Sequence, residues 1–149
     1  MLNWTRRNFI KAGGASLASG LAGVPLVASG AAKKARVVVI GGGYGGAIAA
    51  KYVKRLDPQI DVTLVERNKH YVSCPFSNEV LSGERDIESL TFDYQGLAAR
   101  DIRVIHDEAT AVDPVRKTVS LKNGKALEYD RLVVSPGIQF DWKAIEGCS

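Results

Sequence analysis

Runs of apolar residues change their period along the chain and so lay out its elements. Val37-Val38-Val39-Ile40 is apolar without alternation, the mark of a strand covered on both faces in a parallel sheet, and a glycine-rich turn follows directly. The pattern then becomes helical to about Leu56, where Asp57-Pro58-Gln59 breaks it. Ile60 to Val65 alternates as a second strand that ends in Glu66. Asp86 to Leu90 and Asp93 to Arg100 read as short helical pieces before a strand at Ile102 to Ile105. From there the period stays near two: Ala109 to Val112, a turn at Asp113-Pro114, Thr118 to Leu121, the Asn123-Gly124 hairpin turn, and Ala126 to Tyr129. A last buried strand, Asp130 to Ser135, stops at Pro136-Gly137.

The glycines carry the first chemistry. Gly41, Gly43 and Gly46 stand at the G-x-G-x-x-G spacing: the first permits a tight turn, the second lets a pyrophosphate approach the backbone, and the third packs helix against strand. The helix that follows points its N-terminal N–H groups at the phosphates. Glu66 lies twenty residues beyond Gly46, where such a unit needs a carboxylate to accept hydrogen bonds from an adenosine ribose. The same charge repels a 2′-phosphate, which argues against NADP. The competing reading is a plain βαβ unit with an accidental glycine turn. The fold class expected is α/β, a Rossmann-like parallel sheet into which an antiparallel β-meander is inserted.

The 149 residues are 46% hydrophobic and 24% charged, the composition of one globular domain at most. The basic pI of about 9.1 is a local effect. Arg6, Arg7 and Lys11 are the only charges before Lys33, and without them 17 basic residues face 16 acidic ones, so no nucleic-acid partner is implied. Thr5-Arg6-Arg7-Asn8-Phe9-Ile10-Lys11 resembles the twin-arginine export motif; the uncharged, glycine-rich stretch Ala12 to Ser29 and the small residues around Gly30 to Ala32 complete a signal peptide over residues 1–31. The alternative is an uncleaved membrane anchor, for which five glycines and Pro25 make a poor span. The expectation is export by the twin-arginine translocase and a periplasmic protein over residues 32–149.

Beyond Glu66 the chain turns basic and irregular. Pro75 stops a strand-like run, and Ser77 is placed to cap a short helix. Cys74 lies close in sequence to Arg67, Lys69 and His70, and positive neighbours make a cysteine a better nucleophile. Two readings stand: a reactive cysteine, or a small buried hydrophobe. His70 and His106 have no partner at metal spacing and read as surface residues. Tyr44 either shields the pyrophosphate or is simply an exposed aromatic.

Taken together, the glycine fingerprint, the acidic end of the second strand, the meander and the Tyr129-Asp130-Arg131-Leu132-Val133 strand leading to Gly137 resemble the first half of the two-dinucleotide-domain flavoproteins. Within them, Tyr71-Val72-Ser73-Cys74-Pro75-Phe76-Ser77-Asn78-Glu79-Val80-Leu81-Ser82-Gly83 and the downstream His106-Asp107-Glu108-Ala109-Thr110 are similar to the flavoprotein subunit of flavocytochrome c sulfide dehydrogenase. The resemblance implies FAD as cofactor. Gly41, Gly43 and Gly46 would hold its pyrophosphate and Glu66 its adenosine ribose, with Arg67 beside the adenine end. Ala109 matches the residue whose backbone meets adenine, and Ser135, Pro136 and Gly137 replace the commoner Ala-Thr-Gly near the flavin. Cys74 aligns with the cysteine that joins the flavin 8α-methyl group as a thioether. In this family hydrosulfide attacks a redox-active disulfide, the released thiolate passes two electrons to FAD, and the flavin hands them singly to a c-type cytochrome subunit.

The resemblance covers nearly all of residues 33 to 147 and makes the chain the N-terminal part of the FAD-binding domain, incomplete at its C-terminus. The family's disulfide cysteines, second dinucleotide-type domain and cytochrome interface belong to later sequence. Cys148 is expected to be an unpaired thiol, although a Cys74 to Cys148 bridge is an alternative in an oxidising compartment. Phe140 and Trp142 read as contacts for the part that follows. This chain alone is expected to be marginally stable and without turnover. Two other readings remain open: a portion of a sulfide:quinone oxidoreductase, and a freestanding nucleotide-binding module without redox turnover.

Overall fold

A run of β-branched residues, whose stiff side chains suit a pleated surface, makes β1 (Arg36–Ile40). The computed structural model describes residues 34–138 together with Asp141, Ala144, Glu146 and Gly147. The expected export segment, Phe140, Trp142 and Cys148 lie outside the described residues. After the glycine turn comes α1 (Tyr44–Leu56), which ends at Asp57 where the sequence breaks the helix. β2 (Asp61–Val65) returns parallel to β1 with Val38 opposite Thr63.

The alternation expected for this second strand is not what the fold uses. Val62, Thr63, Leu64 and Val65 are all buried, because β2 sits inside the sheet and is covered on both faces. Thr63 is tolerated there because its hydroxyl accepts hydrogen bonds from the Arg103 guanidinium at 3.1 and 2.9 Å.

The irregular region contains a feature absent from the sequence reading. β3 (Tyr71–Val72) and β4 (Thr91–Phe92) pair antiparallel, and between them lie α2 (Ser77–Leu81) and a 3-10 turn (Ile87–Leu90). Two-residue strands carry no period to detect. Ser77 is also corrected: it is the first residue of α2 rather than its cap, a position taken by Phe76 in the left-handed conformation with φ 69°. α3 (Gln95–Ala98) is shorter than the piece expected from Asp93 to Arg100.

The remaining strands follow the sequence pattern, except that the last, Arg131–Val134, expected to be buried, lies at the edge of the sheet with Val134 exposed. β5 (Arg103–Ile105) is followed by the meander β6 (Ala109–Asp113), β7 (Thr118–Leu121) and β8 (Ala126–Glu128), and then by β9 (Arg131–Val134). The main sheet has the order β5-β2-β1-β9, parallel throughout, and the meander forms a separate sheet in the order β6-β7-β8. Successive residues of β1 serve two cores. Val37 and Val39 pack with Ala50, Leu64, Tyr94 and Ile102 on the helix side, whereas Val38 joins Val65, Val119, Leu121 and Tyr129 on the meander side. The carboxyl ends of β1, β2 and β9 therefore lie side by side, the place where open parallel sheets bind ligands.

Candidate functional site

The site is assembled where those three strands end. Gly41 leaves β1 with φ 95°, and its amide donates to the Val65 carbonyl at 2.8 Å. A Cβ added there would lie 1.9 Å from the Ser135 carbonyl oxygen, so only glycine lets the end of β9 pass. Gly46 faces inward, where a Cβ would fall 1.8 Å from the Gly41 carbonyl oxygen and 3.3 Å from Val39. Gly43 is different. Its φ of −69° suits any residue, and an added Cβ would meet only the Tyr71 ring, at 3.5 Å. The chain itself does not require glycine at this position, and its backbone is left open at the N-terminus of α1. The first turn of that 13-residue helix carries no acidic side chain, so its N–H groups favour an anion.

Glu66 stands opposite. Its carboxylate accepts hydrogen bonds from the backbone amides of Gly42 at 2.7 Å and Asn68 at 2.8 Å. A carboxylate has about four acceptor positions, so two remain for the hydroxyls of a ribose. The tie to Gly42 was not legible in the sequence; it makes Glu66 a brace for the glycine turn as well as a ligand-facing acceptor.

A cleft of about 740 Å³ opens between these groups, within the range of small-molecule sites. Gly41, Gly43, Glu66 and Arg67 line one side of it, and Ala109 with Ser135, Pro136 and Gly137 line the other. Of the cofactor-binding residues expected from the sequence, Gly46 alone does not line the cleft; it works from behind as the packing glycine. Asn68 and His70 also join the lining, as do Asp107 and Glu108 from the stretch that leads into Ala109.

Tyr94 lies beneath the turn, its hydroxyl 2.6 Å from where a Gly42 Cβ would be. Burial, then the charges of Glu66 and Tyr71, push its phenol up to about 12, so it remains a neutral group. His106 is exposed, with Nδ1 3.1 Å from the Asn68 carbonyl and its ring 5.8 Å from that of Tyr94. Both histidines are exposed, as read from the sequence.

Cys74 is exposed and free, which overturns the buried-hydrophobe reading. It does not line the nucleotide cleft. Its neighbours Ser73 and Pro75 line a second cavity of about 500 Å³, which shares Gly43, Tyr44, Tyr71 and Tyr94 with the first. Tyr44 bridges the two: half-exposed, it meets the Tyr71 ring edge-on at 5.3 Å and hydrogen-bonds the Ser73 hydroxyl. Burial first, then Tyr44 and Cys74, raise the Tyr71 phenol above its ordinary value. The arrangement offers a helix N-terminus for phosphate, an acceptor for ribose, and an accessible thiol beside the far end of the turn.

The pyridine nucleotide-disulphide oxidoreductase family matches residues 35–147. Over 45 residues the chain is 64% identical to the flavoprotein chain of sulfide dehydrogenase (flavocytochrome c) from Chlorobaculum thiosulfatiphilum, covering 30% of this chain and 94% of that one. It is 33% identical over 102 residues to a sulfide-quinone reductase from Aquifex aeolicus, covering 68% of this chain and 24% of that protein. The crystal structure of the sulfide:quinone oxidoreductase of Aquifex aeolicus superposes with a TM-score of 0.67 at 32% identity, over 70% of this chain and 25% of the other. The chain thus spans about a quarter of the length of the Aquifex aeolicus enzyme it matches.

Proposed function

The chain belongs to the pyridine nucleotide-disulphide oxidoreductase family, and we propose that it is the FAD-binding portion of a periplasmic sulfide dehydrogenase. The whole protein would oxidise sulfide to sulfur or polysulfide and pass the electrons through FAD to a c-type cytochrome subunit. The observation that carries the reading is the convergence of Gly43, Glu66, Ala109 and Ser135-Pro136-Gly137 on one cleft, with Ser73 and Pro75, the neighbours of the exposed Cys74, lining the cavity that shares Gly43 and Tyr44 with it. The high identity to the flavocytochrome c relative supports the cytochrome as acceptor.

The residues present fit FAD. Gly43 leaves its backbone uncovered where a pyrophosphate would lie, α1 presents its N-terminus there, and Glu66 has acceptor positions left for the ribose. Arg67 and the first residue of β6, Ala109, would flank adenine. Ser135 to Gly137 would run beside the ribityl and flavin portion, toward which Cys74 would supply the thioether. When bound, the flavin converts two-electron input from a sulfur nucleophile into one-electron output. The chain's own residues bind and orient it. The twin-arginine motif at Arg6-Arg7 accounts for export of a protein that folds around its cofactor first.

A sulfide:quinone oxidoreductase is the second reading, favoured by the match to the Aquifex aeolicus enzyme over a longer stretch. The freestanding nucleotide-binding module is set aside because it gives Cys74 no role. The test uses the full-length protein without oxygen: sulfide is expected to bleach the flavin, and added cytochrome c to restore its colour. Restoration by a soluble quinone and not by cytochrome c would move the assignment to the quinone enzymes.

A further inference from the structure

We propose that the hydrogen bond between Tyr44 and Ser73 positions the Cys74 thiol for flavin attachment, so that both are positioning residues for that reaction. The inference rests on the reading of Cys74 as the attachment point. Its basis is how the backbone is held on either side of the cysteine.

Ser73 is only 6% exposed, one of two buried polar residues among the described residues. Its amide donates to the Leu90 carbonyl at 2.8 Å, and its hydroxyl is paired with that of Tyr44. A buried hydroxyl without a partner is costly, so the Tyr44 hydroxyl and the burial of Ser73 depend on each other. Tyr44 is the first residue of α1, directly after Gly43, and its ring is braced against Tyr71. The residue before Cys74 is therefore tied to the element that begins at the phosphate end of the cleft. After Cys74, the Ser77 amide donates to the Cys74 carbonyl at 3.1 Å, and Phe76 takes φ 69°, which non-glycine residues seldom adopt. The main chain is fixed on both sides of a residue whose own side chain is exposed. A residue needed only for packing gains nothing from such an arrangement, whereas a nucleophile that must meet one carbon of a held cofactor does.

In the attachment the Cys74 S–H bond and one C–H bond of the 8α-methyl group break, and an S–C bond forms. The two electrons released enter the flavin ring, and dioxygen removes them, with two protons, as hydrogen peroxide. A misplacement of ~1 Å costs such an oriented reaction about a hundredfold. Loss of the Tyr44–Ser73 bond should therefore show in the rate of attachment.

The experiment follows covalent flavin, as fluorescence surviving denaturing electrophoresis, after FAD is added to the full-length apoprotein. Ser73→Ala and Tyr44→Phe are each expected to slow attachment about 10- to 100-fold. The double variant should be no slower than the slower single, because the two hydroxyls act as one unit. Ser73→Thr keeps a hydroxyl and should attach flavin at close to the normal rate. In a Cys74→Ser background, where nothing is attached, Ser73→Ala, at a residue that does not line the nucleotide cleft, should leave FAD affinity within about twofold. Normal attachment rates in both Ser73→Ala and Tyr44→Phe overturn the proposal. Covalent flavin in Cys74→Ser itself would instead overturn the reading of Cys74 as the attachment point. Should Ser73→Ala fold poorly, Tyr44→Phe decides alone, since it removes only a hydroxyl from a half-exposed ring.

Discussion

The glycines of the turn answer to different neighbours, and substitution should separate them. Gly41→Ala places a methyl group on the Ser135 carbonyl at a φ that L-residues avoid, and should cost at least about 2 kcal/mol in urea denaturation. Gly43→Ala meets no backbone, so stability should change by less than about 1 kcal/mol. Its ADP affinity should nevertheless fall at least about tenfold, or ~1.4 kcal/mol, because the methyl group occupies the phosphate's approach. Tyr94 gives a pH signature. Its phenol lies at about 12 in the fold against an ordinary 10.0, so the folded protein holds this proton more tightly. The stability it contributes is complete below pH 10 and lost as pH rises toward 12. Tyr94→Phe should flatten this alkaline fall in thermal midpoint. The tight turn at Gly41 and the helix–strand packing at Gly46 could be read in advance, because each is a demand of the backbone that a missing side chain encodes. Tyr94 and Ser73 could not, since their partners come from segments without a detectable period.

Among the elements, α1 shows how far a pattern reaches. Its extent was legible from the run between the glycines and Asp57-Pro58, and its inner face is set by Gly46 and Ala50, both buried against the sheet. Ala50→Leu should therefore overpack the helix–sheet contact and lower stability by about 1–3 kcal/mol. Ile48→Ser, on a residue 53% exposed, should stay within about 0.5 kcal/mol. Denaturant midpoints at constant slope would check both. The meander was legible for a local reason: Asp113-Pro114 and Asn123-Gly124 are turns whose chemistry is written in the residues themselves. In the structure, Asp113 Oδ1 accepts from the amides of Val115 and Arg116, and Gly124 takes φ 83°. The burial of β2 on both faces depends on its place in the sheet order, which a sequence of alternating residues conceals.

At the scale of the whole molecule, the nucleotide cleft draws on residues from Gly41 to Gly137, and the parallel order β5-β2-β1-β9 is what brings them together. The chain spans about a quarter of the length of the Aquifex aeolicus enzyme it matches, and the nucleotide cleft can be judged from its own residues. The most direct measurement is the intact mass of the protein purified from its native cells, under denaturing conditions, followed by mapping of the peptide that carries Cys74. The result expected is a flavin adduct on that peptide. An unmodified Cys74 peptide, in a protein that holds no flavin, would contradict the assignment.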